Sequence, residues 1–166
     1  MIRLLLSIVM VSVVSTATRP GVADAQAASV TISGAASQPV SLTAADLAQM
    51  PRVAATTENN GITTKYEGVL LSDVLKKAGV PFGGDMHRQL LAGYVVATAS
   101  DGYEVLFSLG ELDPGITSGQ YILADRADGK PLFGTNGDFR LLVPGDKRGA
   151  RSLRMLRSLT VVFPSK

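Results

Sequence analysis

The sequence predicts a single α+β domain in which mixed β-sheet dominates and a few short helices connect the strands. Short apolar runs typical of strands outnumber the segments with helical periodicity, and the regular strand–helix alternation of a parallel α/β fold is missing. The 166 residues give room for one domain of ordinary size with a sizeable core. The sequence contains no internal repeats.

Two short helices carry clear start signals. Thr43 and Asp46 have the capping-box spacing, in which each of the two side chains binds the backbone N–H group of the other residue. Ser108 and Glu111 repeat this spacing in a later segment. A third helix is predicted to begin at Ser72, its expected cap, with apolar residues on one buried face.

Five strands are predicted before the C-terminal third of the chain, at residues 30–33, 53–57, 94–99, 103–107 and 121–125. The third and fourth are separated by Ser100-Asp101-Gly102, and an Asp-Gly pair between two strand-like runs favours a tight hairpin. The C-terminal stretch is expected to add at least two further strands. Residues 82–91 fit a loop and a single helical turn equally well.

The first 27 residues have the organisation of a secretory signal peptide. A short positive start precedes an apolar run at residues 4–14 that is too short to span a membrane, and two A-x-A patterns end at Ala25 and Ala27. We favour cleavage after Ala27, with Ala25 as the alternative, which leaves residues 28–166 as the single domain. The signal predicts a periplasmic or secreted protein without a membrane span.

Composition excludes several classes of function. There is no cysteine, which removes disulfides, thiolate nucleophiles, cysteine-based zinc sites and iron–sulfur ligation. His87 is the only histidine, so we expect no transition-metal site and an exposed, incidental imidazole. The formal charge of +2, from 16 basic and 14 acidic side chains, is too balanced for a nucleic-acid-binding domain. Serine-nucleophile, P-loop and dinucleotide-binding signatures are also absent.

The candidate site lies in the C-terminal third, where Asp146-Lys147-Arg148-Gly149-Ala150-Arg151 separates two strand-like runs. Glycine lets backbone N–H groups turn outward, and adjacent lysine and arginine side chains attract anions. The segment therefore predicts a phosphate or carboxylate site. The alternative, favoured by composition alone, is a glycine-rich connection whose charges are only solvated.

Arg140 lies in a predicted strand between apolar neighbours. From the residues alone we expect it to form a buried ion pair with Asp125 or Asp146 rather than a ligand contact. A basic residue then recurs at every third position, as on one loose helical face, at Arg148, Arg151, Arg154 and Arg157. We interpret this repeat as a solvated face, with a surface for an acidic partner as the alternative.

Several segments together resemble a known family. Residues 66–75, Y-E-G-V-L-L-S-D-V-L, are similar to the W-x-G-v-p-L-x-d-v-L segment of the sulfite oxidase-like, molybdopterin-dependent oxidoreductases. Residues 100–109 resemble the family's s-x-D-G-y and f-s-L segments. Three later segments of this chain also have counterparts in the family. Residues 128–132 resemble d-G-x-p-L, residues 140–145 resemble R-L-v-v-P-g, and residues 152–156 resemble S-v-k-w-l. The segments occur in the family's order, and the resemblance spans residues 42–162.

The resemblance implies an α+β pterin-binding fold with molybdopterin as the cofactor. In the family a cysteine thiolate holds the molybdenum, and this cysteine precedes the G-v-p-L segment by about a dozen residues. The corresponding position in this chain falls at residues 54–57. This chain has no cysteine, and Tyr66 stands where the family has tryptophan. The family loop that lines the pterin and its phosphate aligns with residues 146–151. The resemblance therefore implies a short member without thiolate-anchored molybdenum.

We accordingly expect an exported binding module rather than an enzyme. Its ligand would be a small anion, a pterin-like molecule or a periplasmic protein partner, and its site residues would be Arg140, Asp146, Lys147, Arg148 and Arg151. We expect no catalytic or metal-ligating residue and no bound cofactor; molybdopterin is the one cofactor that the resemblance would allow. Two alternatives stay open. One is a molybdopterin-dependent oxidoreductase that holds its metal only through the pterin, and the other is an accessory subunit of a periplasmic complex.

Overall fold

The computed structural model describes residues 27–59 and 61–164, which form ten strands and three α-helices. The strands are β1 (Ser29–Gly34), β2 (Val40–Thr43), β3 (Arg52–Asn59), β4 (Ile62–Leu70), β5 (Tyr94–Ala99), β6 (Glu104–Ser108), β7 (Ile122–Ala127), β8 (Lys130–Pro131), β9 (Arg140–Leu142) and β10 (Leu156–Val162). The helices are α1 (Ala44–Ala48), α2 (Leu71–Lys77) and α3 (Leu109–Leu112). Short 3-10 turns occupy Gly83–Asp85, Leu90–Ala92, Gly134–Asn136 and Gly149–Arg151. The predicted signal peptide lies outside the described residues except for its last position, Ala27.

The first sheet has the strand order β2-β1-β10-β5-β6. β1 and β10 pair in parallel, whereas the other neighbours pair antiparallel, so the sheet is mixed. The Asp-Gly turn joins β5 and β6 as predicted, and Gly102 adopts a φ of +85°, which only glycine adopts without steric cost. The parallel pair makes the first and last described strands neighbours inside the first sheet.

The second sheet has the order β3-β4-β7-β8, and β9 also pairs with β7. β7 contains a bulge, because Glu67 pairs with Arg126 while Gly68 pairs with Ala124, which leaves Asp125 as the extra residue. The buried carboxylate of Asp125 accepts two hydrogen bonds from the guanidinium of Arg52 on β3. This bidentate ion pair ties β3 to β7 across the intervening strand β4.

β4 has no counterpart among the predicted strands. Its first half is mostly exposed, Ile62 included, and only its second half enters the core, where Tyr66, Gly68 and Val69 are buried. Residues 62–65 contain one apolar side chain and no apolar–polar alternation, so the sequence does not predict a strand there, and the strand forms through its pairing with neighbouring strands.

The two capping boxes are confirmed. Thr43 Oγ1 accepts from the Asp46 N–H group while the Asp46 carboxylate accepts from the Thr43 N–H group, and Ser108 and Glu111 repeat the arrangement at α3. The predicted cap at Ser72 is wrong. α2 begins at Leu71 with Leu70 at the cap position, and Ser72 is buried inside the first turn. The N–H group of Leu71 instead donates to the Tyr121 carbonyl, so a backbone contact replaces the expected side-chain cap.

The core lies between the two sheets and continues behind the second. The main cluster is apolar throughout and includes Ile32, Leu47, Leu75, Phe107 and Leu159, each fully buried. A smaller cluster contains Tyr66, Ile122, Ala124, Leu132 and Leu142. Neighbouring residues of β7 enter different clusters, so this strand is buried on both faces. Burial of each large side chain contributes about 1.5–3 kcal/mol to the free energy of unfolding.

The predicted α+β class, with mixed sheets and a few short helices, is confirmed. The ambiguous segment at residues 82–91 contains two 3-10 turns joined by irregular chain. The expected basic helical face is wrong, because the turn at Gly149–Arg151 is followed by irregular chain and then by β10, with no α-helix over these residues. Within the part of the chain that the structure describes, no helix combines the length and apolar character needed to cross a membrane.

Candidate functional site

A cleft of about 990 Å³ opens where β3, β4 and β9 meet the loop that follows β9. Strands β3 and β4 contribute Thr56, Thr57 and Tyr66 to its lining. The turn between β5 and β6 contributes Asp101 and Tyr103. The cleft therefore takes side chains from both sheets, and residues distant in sequence line one space.

The lining is rich in cationic side chains, namely Arg140, Lys147, Arg148 and Arg154. None of these four forms an ion pair with another described residue. Acidic lining residues are Glu58, Asp101 and Asp146, and the last of these is already paired with Arg151. Uncompensated positive charge in a concave site favours an anionic ligand.

Arg140 is held at the base of β9 by polar and aromatic contacts. Its Nη1 donates to the hydroxyl oxygen of Tyr66 at 2.8 Å and to Oδ1 of Asn136 at 2.9 Å. Its guanidinium carbon lies 5.0 Å from the centroid of the Tyr66 ring. Its Nε is buried and has no hydrogen-bond partner among the described residues. Burial lowers the pKa of the Arg140 guanidinium, and the charge of Arg154 acts in the same direction.

The ion pair expected for Arg140 is wrong. Asp125 binds Arg52, and Asp146 binds Arg151, so neither carboxylate is left for Arg140. A buried donor without a partner is uncommon in folded proteins and is typically satisfied by water or a ligand. Arg140 thus lines the cleft without a carboxylate partner among the described residues, and its buried Nε keeps a donor that no described protein group meets.

Lys147 and Arg148 lie on the cleft loop, which we define as residues 144–150. Both side chains are exposed, and both line the cleft. The ends of the loop are fastened by side chains: the Tyr103 hydroxyl donates to the Ala150 carbonyl at 3.0 Å, and the Val143 N–H group donates to Ser152 Oγ at 3.0 Å. The loop thus presents two cations on an anchored backbone.

Arg151 does not line the cleft. Its Nε and Nη2 donate to the two carboxylate oxygens of Asp146, each at 2.8 Å, and its Nη1 donates to Oε2 of Glu111 at 3.1 Å. Its guanidinium carbon also lies 5.4 Å from the centroid of the Phe107 ring. These hydrogen bonds raise the pKa of Arg151 and lower the pKa of Asp146. Of the five predicted site residues, Arg140, Asp146, Lys147 and Arg148 therefore line the cleft, and Arg151 lies behind it.

The segment in which the resemblance predicts a cysteine, residues 54–57, reaches the cleft through two threonines. Thr56 and Thr57 both line it and offer hydroxyl groups where a thiolate would stand. Hydroxyls are poor ligands for a metal that prefers soft thiolate sulfur. Among the described residues there is also no group of three or more histidine, cysteine, aspartate or glutamate side chains that could hold a metal. His87 is exposed and lies outside the cleft, as expected.

The predicted set of site residues did not include four others that line the cleft, namely Tyr66, Tyr103, Asn136 and Arg154. Tyr66 carried a usable signal, because it occupies the aromatic position of a recognised segment. Asn136 carried none beyond its glycine-rich surroundings, since its contact with Arg140 depends on how the turn at Gly134–Asn136 packs.

The sequence matches the family model of the oxidoreductase molybdopterin binding domain over residues 17–164. The chain belongs to this family. No curated protein matches it. Among solved structures, this chain is similar to the sulfane dehydrogenase SoxCD from Paracoccus pantotrophus, with a TM-score of 0.63 and 22% sequence identity. The alignment covers 81% of this chain and 38% of that chain, and at this identity it supports the fold.

The residues of the cleft fit one part of the family's cofactor and not another. The four cations without an ion pair to another described residue, Arg140, Lys147, Arg148 and Arg154, suit the anionic, phosphate-bearing organic part of molybdopterin. The donor set does not suit protein ligation of molybdenum, because the chain has no thiolate and the cleft offers threonine hydroxyls at that place.

Proposed function

We propose that this member of the molybdopterin-binding family is an exported binding module that holds a phosphate-bearing or similarly anionic organic ligand in the cationic cleft. The chain would do so without anchoring molybdenum through a protein ligand. The observation that carries the proposal is the concentration of cationic side chains in the cleft lining, at Arg140, Lys147, Arg148 and Arg154, none of which forms an ion pair with another described residue. Positive charge without a counterion in a concave site attracts an anion.

The surrounding charges support the same ligand class. Lys147 and Arg148 extend from the cleft loop, and Arg154 approaches from the segment before β10. Arginine binds phosphate and carboxylate groups through paired N–H donors, whereas lysine acts as a mobile point charge. Tyr66 and Asn136 fix the guanidinium of Arg140 from one side, which leaves its remaining donors for the ligand.

A binding titration tests the proposal. Inorganic pyrophosphate, used as the probe at constant ionic strength, is expected to raise the melting temperature, because a ligand that prefers the native state stabilises it. Arg148→Met and Arg140→Met are expected to weaken this shift. Arg88→Met is the matched control, since Arg88 is an exposed arginine outside the cleft. An equal loss of the shift in all three variants would mean that pyrophosphate responds only to net charge.

The metal-free part of the proposal has its own measurement. Protein isolated from the cell envelope of its natural host is analysed for molybdenum and for pterin fluorescence. Pterin without stoichiometric molybdenum agrees with the proposal. About one molybdenum atom per chain would contradict it and favour an oxidoreductase that holds its metal through the pterin alone.

The second candidate function is that of an accessory subunit. It is favoured by the coverage of the sulfane dehydrogenase SoxCD, in which the matched fold accounts for 38% of a longer chain. An accessory subunit predicts no pyrophosphate shift and co-purification with a partner from the periplasm. The cationic side chains of the cleft would make that contact sensitive to salt.

A further inference from the structure

We propose that Arg151 is a positioning residue that fixes the cleft loop, so that Lys147 and Arg148 are held ready for an anion. This inference rests on the proposed anion-binding function and names the device that prepares the site. Arg151 itself would not touch the ligand, because its guanidinium lies behind the cleft and its hydrogen bonds go to two carboxylates.

The contact between Arg151 and Asp146 is a bidentate ion pair. Both carboxylate oxygens of Asp146 accept from adjacent N–H groups of Arg151, each at 2.8 Å. A bidentate pair of this kind restricts orientation as well as distance. Asp146 directly precedes Lys147 and Arg148, so fixing its side chain fixes the backbone from which both cations extend.

Glu111 connects this pair to the core. Its Oε1 accepts from the Ser108 N–H group at 2.8 Å, and its Oε2 accepts from both the Tyr121 hydroxyl and Arg151 Nη1, each at 3.1 Å. One carboxylate therefore caps α3 and holds the arginine. α3 packs into the core through Leu109 and Leu112, both of which are buried. Glu111 and Arg151 therefore connect the cleft loop to the hydrophobic core.

The remaining fastenings hold only the ends of the loop. Tyr103 binds the Ala150 carbonyl, and Ser152 binds the Val143 N–H group. Inside the loop, the backbone bond from Asp146 to the Val143 carbonyl closes a local turn but does not connect it to the core. Arg151 thus supplies the side-chain link between the middle of the loop and the body of the protein. Ordering a loop before binding lowers the entropy lost when the ligand arrives.

The first readout needs no ligand. Because the chain has no cysteine, Lys147→Cys introduces a single labelling site for a nitroxide on the loop. We expect the label to become markedly more mobile when Arg151→Met or Glu111→Gln is added. Arg88→Met, which removes one exposed arginine elsewhere, should leave the label unchanged. Equal mobility in the folded Arg151 variant and its parent would overturn the inference.

The second readout is the dissociation constant for inorganic pyrophosphate, measured with Lys147 intact and well below the melting temperature of each variant. Arg151→Met is expected to weaken binding about tenfold, as for residues coupled through one network. Arg151→Lys should weaken it nearly as much, because lysine retains the charge but not the two-pronged geometry. Full rescue by lysine would assign the effect to charge and overturn positioning.

A double-mutant cycle separates positioning from direct contact. In a chain carrying Lys147→Met and Arg148→Met, adding Arg151→Met should cause no further loss of pyrophosphate affinity. An independent, additive loss would show that Arg151 binds the ligand itself, and positioning would be rejected. If the parent protein binds no pyrophosphate, the proposed function fails, and the mobility of the label alone decides whether Arg151 positions the loop.

Discussion

Arg140 contacts Tyr66 twice: its Nη1 donates to the tyrosine hydroxyl at 2.8 Å, and its guanidinium carbon lies 5.0 Å from the centroid of the same ring. The two residues are 74 positions apart in sequence and belong to different strands of the second sheet. β4 and β9 are each paired with β7, so the contact spans the strand between them. Both residues line the cleft, so their contact forms only when these strands are correctly paired.

Removing the hydroxyl of Tyr66 tests this contact. Tyr66→Phe retains the ring but leaves Arg140 Nη1 with Asn136 as its remaining partner, and we expect the free energy of unfolding to fall by about 1 kcal/mol. The measurement is a urea denaturation midpoint. Tyr94→Phe is the control, because the Tyr94 hydroxyl makes no hydrogen bond to another described residue. Equal effects of the two changes would contradict a specific role for the Tyr66 hydroxyl.

Thr57→Cys tests whether the segment expected to carry the family's cysteine faces the bound anion. The substitution creates the only thiol in the chain, so its alkylation rate is measured without background. We expect pyrophosphate to slow alkylation at this position, because Thr57 lines the cleft. Ser118→Cys is the control, since Ser118 is exposed outside the cleft. Protection at neither position would indicate that the ligand does not reach β3.

Acid should weaken the attachment of the cleft loop. The hydrogen bonds from Arg151 lower the pKa of Asp146 below its ordinary value of 3.8, so this group contributes stability above that value and loses it as the pH falls through the lowered pKa. Both partners are partly exposed and solvent screens the pair, so the contribution is at most about 1 kcal/mol. Unfolding followed between pH 5 and about pH 2 should show a smaller loss in Asp146→Asn. An identical acid profile in that variant would exclude the contribution.

Gly68 tests the close approach of β4 and β7 at the bulge. A Cβ atom at this position would collide with the Leu123 carbonyl oxygen and the Ala124 backbone, which cannot move without breaking the sheet. We expect Gly68→Ala to lower the free energy of unfolding by about 3 kcal/mol or more. Gly84→Ala is the matched control, because no atom lies within 4 Å of its added Cβ. Similar denaturation midpoints for the two variants would contradict the close approach.

Local chemistry determined which features could be predicted from the sequence. The capping box at Thr43 and the hairpin at Asp101-Gly102 depend on residues a few positions apart, and both were predicted correctly. The predicted cap at Ser72 was wrong because the first N–H group of the helix, that of Leu71, donates to the backbone carbonyl of Tyr121, which is distant in sequence. The partners of Arg140 were likewise unpredictable, since they depend on strand order and on the packing of a turn.

The candidate site shows the same division. Its cationic character could be predicted from the sequence, because Lys147 and Arg148 occur together in a glycine-rich segment of a recognised family. The sequence could not predict that Arg151 lies outside the cleft that Lys147 and Arg148 line. Sequence spacing gives no sign that Glu111, 40 positions earlier, binds its guanidinium.

The place of β10 in the first sheet also has a consequence for how the chain acquires its structure. β10 lies between β1 and β5, yet it is the last of the described strands to be synthesised. Until it arrives, two edges that are internal in the finished sheet remain open to pairing with other chains. The cleft loop lies between β9 and β10, so the cleft is completed only after the other described strands have been synthesised. A growing chain therefore exposes these strand edges, and the risk of pairing with other chains, until the segment that forms β10 is available.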